Sequence, residues 1–245
     1  MKVVFLGATK GMGRALARLM ADRGDELFLL GRDAGDLERC ARDLEVRGAR
    51  APVRCAACDL LHPDGFATAL DEATRALGRL DTVVVTAGLY AQQEELEADR
   101  ELRRRLLAAD FNNTVEFCEE ARTRLLAGGG GVLCVFSSVA GDRARKPVIL
   151  YGAAKAGLSF YLEGLDARYR SQGLRTVLVK PGFVRTGMTA GLREPPIVSE
   201  PEEAARAVLK AIDRGRPVVY APPVWRVVML AVRCLPRWLM RRVEF

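Results

Sequence analysis

The apolar run of residues 2–6, Lys2-Val3-Val4-Phe5-Leu6, passes directly into Gly7-Ala8-Thr9-Lys10-Gly11-Met12-Gly13. Residues 14–21 then repeat their apolar positions at helical spacing. This is a strand, a glycine turn and a helix. The glycines permit a tight turn and close backbone approach to a pyrophosphate, which the helix amino terminus attracts. Their spacing is Gly-x3-Gly-x-Gly, not the commoner Gly-x-Gly-x2-Gly. Further strand-like runs stand at 26–30, 51–55, 82–86, 132–136, 174–179 and 217–220, with helical stretches between them. That alternation predicts an α/β chain with a doubly wound parallel sheet and right-handed crossovers. A single Rossmann-type domain is expected over 1–221, and an amphipathic helical tail over 222–245.

A length of 245 residues suits one such domain, and 49% apolar with 28% charged residues is ordinary for a globular protein. The net charge of +7 points to nucleic acid, anionic lipid or a phosphorylated substrate. No basic run with interleaved aromatics appears in the body of the chain, so nucleic acid is not expected. Cys55-Ala56-Ala57-Cys58, with His62 nearby, is a lone C-x-x-C inside a strand-like stretch and reads as buried small residues; no metal is expected. Scattered cysteines fit a reducing cytoplasm, and the first apolar run breaks at Gly7, too early for a signal peptide.

The chemistry centres on Ser138, Tyr151 and Lys155. Ser138 follows the buried-strand run 132–136, which places its hydroxyl at the carboxyl end of the sheet, where open α/β folds bind ligands. Tyr151 and Lys155 stand at i and i+4, on one helical face. An ammonium beside a phenol favours the phenolate and is expected to lower the tyrosine pKa toward neutrality. The three groups could polarise a carbonyl and hand it a proton.

With these residues in place, the chain resembles the short-chain dehydrogenase/reductase family over nearly its whole length. Gly7, Gly11, Gly13, Asp59, Ala87-Gly88, Asn112, Ser138, Tyr151, Lys155 and the run Pro181-Gly182-Phe183-Val184-Arg185-Thr186 carry the resemblance. It implies a catalytic set of Asn112, Ser138, Tyr151 and Lys155, with Asn112 in a proton relay to the lysine and Asn113 as the alternative by one register. It also implies that Thr9, Met12, Leu60, Pro181, Gly182, Val184 and Thr186 line the cofactor, and that Asp59 contacts the adenine. The family's usual Asn-Asn-Ala-Gly is here Val85-Thr86-Ala87-Gly88.

The second strand ends in Gly31-Arg32, with no acid at its tip, and Lys10 sits in the glycine turn. Two cations near the ribose suit a 2′-phosphate, so NADP(H) is favoured. The alternative is NAD(H), with Asp33 on the ribose. The loop between Ser138 and Tyr151 carries Arg143, Arg145 and Lys146, expected to bind an anionic substrate such as a phosphate. The segment 92–105 reads as a solvated helix, residues 187–198 as a substrate lid, and Ser199-Glu200-Pro201-Glu202 as a capping box.

A narrower resemblance is to the decaprenylphosphoryl-2-keto-pentose reductases. The run 138–145, the Tyr151 helix, the run 181–186 and the tail around Trp225 and Arg233-Cys234-Leu235-Pro236-Arg237 carry it. It implies a lipid-linked keto-sugar substrate supplied by a flavin-dependent oxidase. Residues 222–243 combine Val, Leu, Met and two tryptophans with five arginines in runs too short to span a bilayer. That pattern suits a helix lying on the inner face of a membrane; a homo-oligomer interface is the rival expectation.

Overall fold

The computed structural model describes residues 1–50 and 52–242. β1 (Lys2–Leu6) leads into α1 (Gly11–Asp22), followed by β2 (Glu26–Gly31), α2 (Ala34–Val46), β3 (Arg54–Ala57), α3 (Phe66–Leu77) and β4 (Thr82–Val85). Next come α4 (Gln93–Ala98), α5 (Arg100–Leu107), a π-helical turn at Ala108–Asn112, α6 (Asn113–Ala127), β5 (Gly131–Phe136) and α7 (Ile149–Tyr169). β6 (Leu174–Pro181), α8 (Pro201–Arg214), β7 (Val218–Ala221), α9 (Trp225–Cys234) and α10 (Arg237–Met240) complete the chain.

The seven strands form one parallel sheet in the order β3-β2-β1-β4-β5-β6-β7. The chain leaves β1 toward one edge and returns at β4 to build the other, so a crevice opens at the carboxyl ends of β1 and β4. The period of two along each strand divides the core between the faces. Val3 and Phe5 pack with Leu16, Met20, Leu37 and Val208 under α1, α2 and α8. Val4 and Leu6 pack with Phe66, Leu70, Phe117 and Leu162 under α3, α6 and α7. Burying a side chain of this size stabilises by about 1.5–3 kcal/mol. The Phe66 and Phe117 rings add an edge-to-face contact, 5.4 Å between centres.

Four local expectations are corrected. The third strand is Arg54–Ala57, not 51–55, because its register is set by pairing with β2, Phe28 to Arg54 through Gly31 to Ala57; residue 51 lies outside the described residues. The helix expected over 92–105 is two helices. Asp99 ends α4 and caps α5, accepting from the N–H groups of Glu101 and Leu102. A capping box forms at Gln92 and Glu95, whereas the one expected at Ser199 does not: Glu200 is the cap residue, without a side-chain bond. Ser199 is instead bridged through its backbone to the Phe183–Arg185 segment, and its hydroxyl makes no capping bond. The tail is broken at Pro236 into α9 and α10, and residues 243–245 of the expected tail lie outside the described residues.

Candidate active site

The crevice at the β1–β4 junction is lined by Gly7, Thr9, Lys10, Arg32, Asp33, Asp59, Leu60, Ala87 and Gly88, together with Cys58 and Ala109. The sheet thus brings together eight of the expected cofactor residues: Gly7, Thr9, Lys10, Arg32, Asp59, Leu60, Ala87 and Gly88. Gly7 has φ +98°, and a Cβ there would lie 2.6 Å from Ala87 N. A Cβ on Gly13 would run into the Gly7 carbonyl and lie 2.5 Å from Thr86 Oγ1. Thr86 donates its hydroxyl to Gly7 O at 2.8 Å, so the threonine standing where the family has asparagine still ties β4 to the glycine turn. Gly11 packs on Thr186, whose Cγ2 would be 3.1 Å from a Cβ at that glycine.

At the adenosine end, Lys10 pairs with Asp36 at 3.1 Å and is exposed. Arg39, then Lys10, holds the Asp36 carboxyl below its ordinary pKa. Asp33 accepts from Asp36 N and caps α2, which commits one of its oxygens to the helix. Arg32 is exposed on the rim of the crevice. Asp59 accepts from Leu61 N at 3.0 Å and shapes the turn that forms the crevice wall.

The expected catalytic group of Ser138, Tyr151 and Lys155 comes together where β5, α7 and the π-helical turn meet. Ser138 caps the short turn after β5, accepting from Ala140 N at 3.1 Å, and its hydroxyl lies toward the Tyr151 phenol and favours the phenolate. Lys155 is buried, 5% exposed, with its Nζ 3.8 Å from Asp110 Oδ2, 3.4 Å from Phe136 O and 5.7 Å from the centre of the Tyr151 ring. The Tyr90 ring packs edge-on against Tyr151, 5.2 Å between centres. The tyrosine is not acidified as the Tyr/Lys spacing suggested. Burial pushes the phenol up and the charge of Asp110 adds to that, while the Ser138 hydrogen bond pulls the other way. The lysine charge is shared with Asp110 instead of acting on the phenol alone.

The π-helical turn places Asn112 at the surface, and Asn113 donates to Leu60 O at 2.6 Å. The polar side chain that the turn directs at Lys155 is Asp110, fully buried at 0% exposed. Sequence reasoning missed it; the available signal was a lone acid in Leu106-Leu107-Ala108-Ala109-Asp110-Phe111.

The sequence pattern of short chain dehydrogenases matches residues 1–196. The chain belongs to the short-chain dehydrogenase family. It is 34% identical over 242 residues to an uncharacterized oxidoreductase of Mycobacterium tuberculosis, covering 98% of this chain and 96% of the relative. It is 28% identical over 215 residues to carbonyl reductase family member 4 of Xenopus tropicalis, covering 84% of this chain and 89% of that protein. A short-chain type dehydrogenase/reductase from Mycobacterium ulcerans shares the fold, with TM-score 0.81 and 21% identity over 98% of this chain and 97% of the other.

This short-chain dehydrogenase is therefore an NAD(P)-dependent oxidoreductase, and its crevice suits the dinucleotide: the absence of side chains at Gly7 and Gly13 lets the glycine turn pack directly on Thr86 and Ala87 at the crevice wall. Pro181 and Gly182 end β6 beside Ala221, whose carbonyl accepts from Gly182 N. The indole of Trp225 lies directly on Gly182, in the space a Cβ would take, so the dehydrogenase's tail helix walls that turn. Val184 is buried beneath it.

The loop expected to bind substrate divides its cations. Arg143 donates to Leu235 O at 2.6 Å and fastens the end of α9. Arg145 lies beside Tyr90, its pKa lowered by burial against the pull of that tyrosine. Lys146 is exposed. Behind the loop, Asp142 accepts from Lys180 Nζ at 2.7 Å and from Tyr220 OH at 2.8 Å. Residues 187–191 form turns and 192–198 run irregularly, and Arg185 braces the segment with ion pairs to Glu194 and Glu200 at 2.7 and 2.6 Å.

Proposed function

We propose that this enzyme is an NADPH-dependent carbonyl reductase acting on a lipid-linked keto sugar carried by a polyprenyl phosphate. The observation that carries the reductase reading is the meeting of Ser138, Tyr151 and Lys155 at the carboxyl end of β5. A bound nicotinamide cofactor supplies a hydride to the keto carbon. Tyr151 gives its phenolic proton to the oxygen, and Ser138 donates a hydrogen bond to that oxygen. Lys155 holds the ribose and supports the tyrosine. Burial and Asp110 keep the phenol protonated, which is the form a reductase needs. The glycine turn, Asp59, Ala87 and Gly88, and the turn from Pro181 to Thr186 hold the dinucleotide, with Arg32 and Lys10 at its 2′-phosphate.

Two features favour a substrate with an anionic head and an apolar chain. Arg145 stands by Tyr90 at the catalytic tyrosine, with Lys146 next to it. The tail exposes Val227, Leu230 and Trp238, 70%, 65% and 59% accessible, among Arg226, Arg237, Arg241 and Arg242. The protein then works at the inner face of a membrane, after a flavin-dependent oxidase that makes the ketone. Phe160, 82% exposed on α7, supports self-association.

Consumption of NADPH against a polyprenyl-phosphate-linked keto sugar, the free keto sugar and a neutral ketone tests this. A charge-assisted contact contributes about 1.5–3 kcal/mol, so kcat/KM for the lipid-linked compound should exceed the others by roughly tenfold or more. Equal turnover of all three would leave a general carbonyl reductase.

A further inference from the structure

Among the described residues, Asp110 is the fully buried carboxylate beside Tyr151 and Lys155, and it is fixed by geometry on both sides. Its Oδ1 accepts from Leu89 N at 2.7 Å, just beyond the Gly88 of the cofactor crevice. Its Oδ2 has no hydrogen-bond partner and faces Lys155 Nζ at 3.8 Å. Gly88 makes the space for this pair: a Cβ there would lie 2.8 Å from Asp110 Oδ1 and 3.4 Å from Lys155 Nζ. The π-helical turn at Ala108–Asn112 adds a residue to the helical repeat and rotates position 110 inward. π-Turns of this kind often occur at functional sites.

We propose that Asp110 is a positioning residue of the reduction: anchored on Leu89 N–H, it fixes the Lys155 ammonium beside Gly88 and sets a negative charge against it next to Tyr151. This rests on the reading of Tyr151 as the proton donor. The charged and titratable groups around the phenol are Asp110 from the π-helical turn, Tyr90 from the segment after β4, Lys155 on α7 itself, and Arg145 beyond Tyr90; Ser138 adds its hydroxyl from the end of β5. Asp110 is the anion among them. Its charge raises the proton affinity of Tyr151 and faces the opposite charge of Lys155 at 3.8 Å. Burial raises the carboxyl's own pKa, and Lys155 pulls it back toward the charged form.

The sign of the test follows. Removing the negative charge leaves Lys155 unopposed, so the tyrosine pKa falls. Asp110→Asn keeps the shape and an oxygen for Leu89 N–H. The pH at which the reduction rate declines should then move down by about one unit or more, and the rising limb of the reverse oxidation should move with it. Asp110→Ser, smaller and still able to accept from Leu89, should give the same shift and guards against a folding defect in the first variant. In the cofactor-free protein, the phenolate absorbance that Tyr151→Phe removes should appear at lower pH in both variants. A drop in rate with unmoved pH profiles and an unmoved phenolate titration would overturn the proposal and leave Asp110 a purely structural anchor. Full activity of Tyr151→Phe would instead defeat the proton-donor reading, and that outcome is separable because it needs no Asp110 variant.

Discussion

Tyr151 is held by contacts on three sides: the Ser138 hydroxyl, the Tyr90 ring and, behind it, the Lys155–Asp110 pair. A phenylalanine would keep the packing and lose only the proton. Tyr151→Phe should therefore lower the rate by about a hundred- to ten-thousandfold. Cofactor affinity, measured by fluorescence titration, should stay nearly constant. Arg32 makes the complementary case at the other end of the crevice. Lys10 shares its charge with Asp36 and Asp33 caps α2, so Arg32, exposed on the rim of the crevice, is the side chain that tests the proposed 2′-phosphate contact most directly. Arg32→Ala should weaken NADPH by about tenfold or more, on the order of the 1.5–3 kcal/mol of a charge-assisted bond, and leave NADH almost unchanged. Equal losses for both cofactors would remove Arg32 from the ribose site.

At the scale of elements, the loop between β5 and α7 is braced by the strands behind it. Asp142 is 2% exposed in its side chain and shared by Lys180 of β6 and Tyr220 of β7. The same hydrogen bond, with burial, raises the Tyr220 phenol to about 12. Lys180→Ala would leave a buried carboxylate without its counter-ion, at a cost of about 3–5 kcal/mol. Thermal unfolding should show this as a fall in Tm, and Lys180→Arg should recover part of it. Arg143 ties the same loop to the end of α9 through Leu235 O, so the Ser138 loop and the tail are mechanically one unit. Gln93 of α4, 6% exposed, adds a brace from the other side by accepting from Leu150 N, one residue before Tyr151.

For the whole molecule, the tail carries the proposed contact with a membrane surface. No helix among the described residues is long and apolar enough to cross a membrane. α9 instead buries Met229 and lays Trp225 on Gly182 while turning Val227 and Leu230 outward. Cutting the chain after Ala221 would uncover the Gly182 turn, so point changes are the cleaner test. Full-length protein should bind anionic vesicles, and Val227→Ser with Leu230→Ser should weaken binding by about tenfold or more, since each lost apolar side chain is worth about 1.5–3 kcal/mol of burial. Unchanged vesicle binding, or a changed oligomeric state by light scattering, would point to a subunit interface instead.

Residues that act on near neighbours in the chain were legible from their order alone. The strand, glycine turn and helix at residues 2–21, the two-faced core of Val3, Val4, Phe5 and Leu6, and the i, i+4 pair of Tyr151 and Lys155 all follow from local period and spacing. Ser138 was legible because a buried run must end where the sheet meets its ligand crevice. Residues whose partners lie far along the chain were not. Asp110 takes its meaning from Leu89 and Lys155, 21 and 45 positions away, and from a π-helical turn whose extra residue no apolar period announces. The place of Trp225 on Gly182 and of Arg143 on Leu235 likewise needed the sheet to bring β6 and β7 together before the tail could fold back across them. Close approach of this kind is a property of packed elements, and it is there that the proton affinity of Tyr151 is set.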